Sequence, residues 1–330
     1  MGASNLFHLI PVSVKMLQSF GKQQNFLKST FSELYRKVEE ENDGSVTPGC
    51  FYKMSRYYGF AVPAVLGEGI CMLRGTKMND MERRLSTSQG IITGIYDDFI
   101  DKSKLQADQI IEITRKPGGF SSDNLITKIF IEYWSFVIDN IRHEDFLWQM
   151  VEKIYQVQLQ TREQYDPALS FERIRQITFD KGGYSVLFYR SAYSNPLEEN
   201  EQKAFYNLGA LLQFGNDIFD LRHDLAEGIH TMITKPDHLD GVVEVFYELK
   251  KETIQSFYCL PYKRKNIRKF LHFIMPVVSR CEVCLNQLHK LEHAAGVFRP
   301  SEHSRQEIVC DMEKMSNFLR TLKYYFKTEI

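Results

Sequence analysis

The sequence has almost no excess of charge of either sign, because 41 Lys and Arg oppose 42 Asp and Glu for a formal net charge of −1. Such a chain has no overall field to attract nucleic acid or an anionic membrane, and nucleic acid is not expected among its partners. An apolar run long enough to cross a bilayer is also lacking, so we expect no transmembrane segment. The alternating pattern of β-strands is nearly absent. These absences favour an all-helical protein.

Metal-binding patterns of cysteine and histidine are also missing. The six cysteines are scattered, and Cys281-x-x-Cys284 lacks a second pair at zinc-site spacing, so we interpret both as ordinary helix residues. His289 and His293 are four residues apart, but the sequence offers no third ligand, and they receive the same interpretation. The apolar-rich start, residues 5–20, has no cleavage site after a charged region and is interpreted as a packed segment. Reduced thiols then favour a cytoplasmic location.

Helical periodicity dominates the rest of the chain, and Gly- and Pro-containing stretches separate its segments. We find no linker or internal repeat, so residues 1–330 are predicted to form a single all-α domain, a helical bundle with ligand sites between facing helices. The predicted helices are 24–41, 51–74, 79–103, 124–141, 143–164, 170–192, 197–226, 239–257, 263–295 and 301–328.

The first acidic segment places Asp97, Asp98 and Asp101 within a helical pattern. Asp97 and Asp101 are one turn apart with Asp98 beside them, so their oxygens share a helix face. Gly90 and Gly94 lie on the same face, and glycine inside a helix costs about 1 kcal/mol relative to alanine. Glycines there either permit close helix packing or leave room for a ligand, and their repetition at a second acidic face favours a cavity.

The second acidic segment repeats this design, with Asn216, Asp220 and Asp224 at i, i+4 and i+8 and Asp217 next to the first. Gly209 lies on the same face. Carboxylates packed so tightly raise one another's pKa and stay ionised in an interior only with compensating cations. Oxygen ligands without nearby Cys or His favour a hard cation, Mg²⁺ first. Residues eight apart are separated by about 12 Å along a straight helix, which makes direct ligation by the short Asp224 the weakest assignment.

These two segments resemble the motifs of the class I isoprenoid synthases, the superfamily of terpene cyclases, squalene and phytoene synthases and prenyltransferases. Residues 97–101 match the DDxxD motif in full. Residues 216–224 fit the cyclase pattern NDxxSxxxE, with Asp in place of both Ser and Glu, and they also contain the DxxxD of squalene and phytoene synthases. The prenyltransferase motif FQxxDDxxD would correspond to residues 212–220 of this chain. The resemblance extends from about residue 57 to residue 231.

The resemblance implies a helical bundle with a central active-site cavity, three Mg²⁺ ions and a prenyl diphosphate substrate. Asp97, Asp98 and Asp101 would bind metal, as would Asn216, Asp220 and Asp224, with Asp217 a ligand or a supporting residue. The sequence Phe179–Tyr184 contains Gly182-Gly183, and we expect a local break in the helix there that directs Lys181 inward. Lys181 and Arg175, or Arg173 in its place, would then neutralise the diphosphate. A homodimer is left open.

The reaction implied is ionisation of the prenyl diphosphate to an allylic carbocation with release of diphosphate, by a carbon–oxygen lyase or a prenyl transferase. Asn216 favours cyclisation. The pair Asp220 and Asp224 favours squalene/phytoene-type condensation of two substrates, which is the alternative. Lys102-Ser103-Lys104 follows the first motif where chain-elongating enzymes have Arg-Arg, which argues against ordinary elongation. Asp224 in place of Glu also leaves open a protein that binds a prenyl diphosphate without turnover.

Overall fold

A computed structural model of the chain describes residues 3–101, 105–197 and 199–330, except for the side chains of residues 3, 4, 6, 7, 101 and 199. Every regular element in these ranges is a helix, and none of the described residues forms a strand. The all-α prediction is therefore confirmed. No helix in the described ranges combines the length and apolarity that crossing a bilayer requires.

The described residues of the first half of the chain form nine α-helices, three of which adjoin π-helical segments. They are α1 (Ala3–Thr30), α2 (Ser32–Glu40), α3 (Pro48–Tyr52), α4 (Tyr58–Ala61), α5 (Glu68–Arg74), α6 (Asp80–Asp101), α7 (Ala107–Arg115), α8 (Leu125–Asn140) and α9 (Glu144–Gln160). The π-helical segments, Lys53–Tyr57 and Val62–Gly67, flank α4. Short 3₁₀ turns occupy Pro117–Gly119 and Thr161–Tyr165.

Longer helices make up most of the second half. They are α10 (Phe171–Arg190), α11 (Glu199–Glu227), α12 (Asp240–Tyr258) and α13 (Arg264–Ala295), followed by a 3₁₀ turn (Pro300–Glu302), α14 (Arg305–Ile308) and α15 (Met315–Lys327). Local chemistry sets several ends. The Asn124 side chain accepts a hydrogen bond from the Thr127 N–H at the start of α8. Gly296 ends α13 with φ of 79°, a conformation that favours glycine.

The chain packs as two compact units. The N-terminal unit comprises Val12–Leu147 and Tyr189–Pro196, and the C-terminal unit comprises Met1–Pro11, Trp148–Phe188 and Leu197–Ile330. In the N-terminal unit the Trp134 indole N–H donates to the Thr114 carbonyl at 2.7 Å, which holds α8 against α7. In the C-terminal unit Phe205, Phe257 and Phe270 form a buried aromatic cluster with ring centroids 4.5 to 6.3 Å apart.

Several predicted boundaries are wrong. The predicted helix 24–41 is two helices divided at Phe31, and 301–328 contains α14 and α15 with a non-helical stretch between them. Helix α7 was not predicted. Its N-cap is Gln106, which forms a capping box with Gln109. Helix starts are usually predicted from Ser, Thr, Asp or Asn at the N-cap, so the glutamine gave no such signal.

Candidate functional site: two acidic helix segments

The first acidic segment lies at the end of α6, in the N-terminal unit. The Asp98 side chain is buried, and its Oδ1 lies 3.0 Å from the Lys53 Nζ. Asp97 is half-buried, and the Tyr58 hydroxyl donates to its Oδ2 at 3.3 Å. The negative charge of Asp97, together with burial, raises the pKa of Tyr58 well above its ordinary value, so Tyr58 remains a hydrogen-bond donor. Both carboxylates are therefore held by donors from one neighbouring segment.

The glycines of α6 explain how that neighbouring segment comes so close. A Cβ at Gly90 would stand 2.5 Å from the Tyr58 carbonyl oxygen, and one at Gly94 would stand 3.0 Å from the Lys53 Cβ. The space beside both glycines is thus filled by the π-helical segment Lys53–Tyr57 and the start of α4. The expectation that these glycines open a cavity is wrong; they permit the close packing that brings Lys53 and Tyr58 to the acidic residues. The side chain of Asp101 lies outside the described residues.

The second acidic segment lies in the middle and last turns of α11, in the C-terminal unit. Asn216 and Asp220 are joined by a hydrogen bond of 2.7 Å from the amide Nδ2 to the carboxylate Oδ2. Asp217 is buried, and each of its oxygens accepts a hydrogen bond of 2.9 Å, from the Thr178 hydroxyl and from the Gln213 amide. Asp224 is also buried. All four predicted residues thus share one helix, and Asn216 and Asp220 touch.

Burial dominates the electrostatics of this segment. It raises the pKa of Asp217 to about 6, against the hydrogen bonds from Gln213 and Thr178 and the nearby charge of Lys181. Burial likewise raises the pKa of Asp224 to about 7, and repulsion from Asp217 and Asp220 adds to it. Carboxylates whose protonation is favoured by burial and mutual repulsion gain from a bound cation, since the cation removes both penalties.

A backbone contact between α10 and α11 positions the second segment. A Cβ at Gly209 would overlap the Gly182 carbonyl oxygen and stand 2.8 Å from the Gly183 Cα. Helix α10 is continuous from Phe171 to Arg190, so the predicted break at the glycine pair is wrong. The glycines instead allow the two helices to touch through their backbones, which sets Thr178 against Asp217.

The cationic residues predicted for diphosphate binding differ in their surroundings. Lys181 is half-buried on α10, and its charge lowers the pKa of Asp217, which places it beside the acidic segment. Arg175 forms an ion pair of 2.7 Å with Glu172 on its own helix. Arg173 makes a two-pronged pair with Glu163 at 2.7 and 2.8 Å. Of the three, the surroundings of Lys181 fit the predicted role best.

A pocket of about 360 Å³ in the N-terminal unit contains none of the predicted site residues. Its lining includes Leu27, Tyr35 and Phe60 together with Lys28 and Arg56. The expected central cavity is therefore not this pocket.

The donors Lys53, Tyr58 and Thr178 were not predicted, since each reaches its aspartate from a distant part of the sequence. Gln213 had a local signal, because it precedes Asp217 by four residues on the same helix face. Compared with known proteins, this chain is matched by no family model, no curated protein and no solved structure. What the two segments can do chemically follows from their own side chains, and the oxygen donors of α11 suit a hard divalent cation.

Proposed function

We propose that the protein is a Mg²⁺-dependent class I isoprenoid synthase that ionises a prenyl diphosphate to an allylic carbocation and releases diphosphate. The observation that carries the proposal is the set of oxygen ligands on α11, where two buried carboxylates with raised pKa values lie beside Asn216 and Asp220. The DDxxD sequence of residues 97–101 adds to it. Cyclisation is the favoured outcome, with a cavity of the synthase type enclosing the prenyl chain.

The residues on α11 fit Mg²⁺ by donor chemistry. Asn216, Asp220 and Asp224 would hold the ion through oxygen atoms, which Mg²⁺ prefers. Asp217 serves better as a supporting residue, because both of its oxygens already accept hydrogen bonds. In the first segment Asp97 and Asp101 would bind metal, whereas Asp98 already carries the Lys53 ammonium as its counter-ion. When bound, Mg²⁺ supplies Lewis-acid stabilisation of the charge that develops on the departing diphosphate.

The protein's own cations and hydrogen-bond donors perform the rest of the step. Lys181 neutralises diphosphate oxygens beside the α11 segment, and the allylic C–O bond breaks with its electron pair going to the diphosphate. Thr178 and Gln213 keep Asp217 fixed during this change of charge. Arg175 is the weaker diphosphate ligand, because Glu172 already engages its guanidinium. We therefore expect Lys181→Ala to lower turnover more than Arg175→Ala.

Diphosphate release by the purified protein tests the proposal. Geranyl, farnesyl, geranylgeranyl and longer prenyl diphosphates are supplied singly with Mg²⁺ and then with EDTA, and organic products are extracted for mass spectrometry. We expect metal-dependent release that Asp97→Ala and Asn216→Ala abolish, while Glu227→Gln, an exposed change at the end of the same helix, leaves it intact. Undiminished release by both alanine variants would refute the assignment.

Two other functions remain as outcomes of the same assay. The Asp220 and Asp224 pair favours condensation of two prenyl diphosphates, and a product of twice the substrate's carbon number would identify it. The shorter Asp224, in place of Glu, favours a protein that binds the substrate without turnover. Mg²⁺-dependent binding of a prenyl diphosphate without product would identify that protein.

A further inference from the structure

We propose that Asp240, His289 and His293 form a second metal site, which takes one transition-metal ion of the Zn²⁺ class. One ligand atom from each residue lies within 4.8 Å of the others. The His289 Nε2 is 2.8 Å from the Asp240 Oδ1, and the His289 and His293 rings lie one turn apart on α13 with centroids separated by 4.4 Å. The third ligand that the sequence did not reveal is supplied by the first residue of α12.

The approach of α12 to α13 at this point is fixed by buried contacts. Glu292, between the two histidines in sequence, is buried and accepts the Leu239 backbone N–H at 3.0 Å. It also lies 3.0 Å from the His238 Nδ1, and the Phe298 N–H donates to the Asp237 carbonyl at 2.8 Å. Asp240 is thus held opposite α13 by contacts on its own backbone segment. A site assembled before the ion arrives loses less conformational entropy on binding.

The donors select the class of ion. Two imidazole nitrogens and one carboxylate suit Zn²⁺ and its neighbours in the first transition series, whereas Mg²⁺ prefers oxygen ligands. Zinc binds imidazole at about 2.0 to 2.1 Å, so modest side-chain rotations would bring all three ligands onto one ion. Asp240 and His293 are exposed, which gives an ion a route in and leaves positions for water. An ion bound to both side chains would take the place of the hydrogen bond between His289 and Asp240.

An ion at this site would join two elements that are distant in sequence. Residues 228–239 connect the second acidic segment on α11 to α12, and Asp240 is where that connection ends. A bound ion would therefore fasten the end of this connection to the last turns of α13. The inference does not depend on the proposed synthase activity, because it rests on other side chains and on nitrogen ligands.

Co²⁺, a spectroscopic substitute for Zn²⁺, tests the site in the full-length protein after EDTA treatment and under a phosphine reductant. We expect one equivalent of Co²⁺ to give visible d–d absorption. Added Zn²⁺ should displace the Co²⁺ and remove this absorption, whereas added Mg²⁺ should not. His293→Ala and Asp240→Asn should each weaken Co²⁺ binding at least about tenfold, the cost of disturbing a metal site's ligands. His303→Ala is the matched control, since His303 faces a carboxylate, Glu307, at 3.9 Å, and the described residues offer it no third ligand.

The result that overturns the proposal is equally specific. Equal Co²⁺ binding by wild type, His293→Ala and Asp240→Asn would place the metal elsewhere, as would the intense charge-transfer band of a thiolate ligand. Absence of any binding to the wild-type protein would refute it outright. Because His293 and Asp240 are exposed, the variants should fold, and their far-ultraviolet circular dichroism spectra without metal should match that of the wild type. If His293→Ala does not fold, His293→Gln takes its place.

Discussion

Replacing the buried Asp217 by asparagine should make the protein more stable at neutral and alkaline pH. Burial raises the pKa of Asp217 from 3.8 to about 6, so between these values the folded protein keeps a proton that the unfolded chain releases. The stability that this proton provides is complete below pH 3.8 and is lost as pH rises through about 6. The difference between the two pKa values corresponds to about 3 kcal/mol, which Asp217→Asn should recover at pH 8.

Thermal unfolding in EDTA at pH 8 and at pH 4 measures this difference. For a chain of this length, about 3 kcal/mol corresponds to about 4 °C in Tm. We expect Asp217→Asn to unfold about 4 °C above wild type at pH 8 and close to wild type at pH 4. The introduced amide retains a carbonyl acceptor for Gln213, and the Thr178 hydroxyl can accept from its NH₂ group. On the proposed function, a bound Mg²⁺ would compensate the ionised carboxylates of the wild-type protein and so reduce the gap at pH 8.

Glu227→Gln provides the matched control, because it removes an exposed carboxylate from the same helix and should leave Tm within about 1 °C of wild type at both pH values. A variant Asp217→Asn that is no more stable than wild type at pH 8 would contradict the reasoning. It would mean that the hydrogen bonds from Thr178 and Gln213 outweigh the cost of burying the charge.

Two further substitutions test the packing around each acidic segment. Gly209→Ala should lower the free energy of unfolding by about 3 kcal/mol in urea titrations, because its Cβ would overlap the Gly182 backbone. The control Gly241→Ala, whose Cβ meets nothing within 4 Å, should cost nothing, and equal effects of the two changes would contradict the backbone contact. Lys53→Met should lower stability by about 2 kcal/mol at pH 8, because it removes the ammonium that lies 3.0 Å from the buried Asp98 carboxylate. A second change, Asp98→Asn, should restore part of the loss. Independent, additive effects in this double-mutant cycle would show that the pair is not coupled.

The all-α class and most long helices were predictable because apolar residues recur with helical spacing over many turns. Helices α11, α12 and α13 agree with the predicted 197–226, 239–257 and 263–295 within a few residues. Short or irregular elements were not predictable. The π-helical segment Lys53–Tyr57 has ordinary helical periodicity in the sequence, and it packs against the glycines of α6, a tertiary contact that periodicity does not encode.

That the acidic residues of each segment share a helix was predictable from the sequence, because spacing along a helix is local information. Their partners depend on tertiary contacts that spacing does not encode, as with Lys53 beside Asp98 and Thr178 beside Asp217. The glycine pair on α10 shows the same limit. A glycine pair in a sequence is compatible both with a bend in one helix and with close contact between two helices. Only the position of Gly209 against the pair on α10 shows that contact is the case here.

The Gly182–Gly209 contact also restricts how α10 and α11 can move. Because the helices touch through backbone atoms, sliding one past the other by a turn would bring a side chain into a space that has no room for a Cβ. The two helices therefore have a single axial register, and Thr178 and Asp217 keep their pairing through any motion that leaves this contact intact. A side chain introduced at either glycine cannot be relieved by shortening one at the other, because the clash is with backbone atoms. Drift in sequence should spare these two positions because of the packing alone.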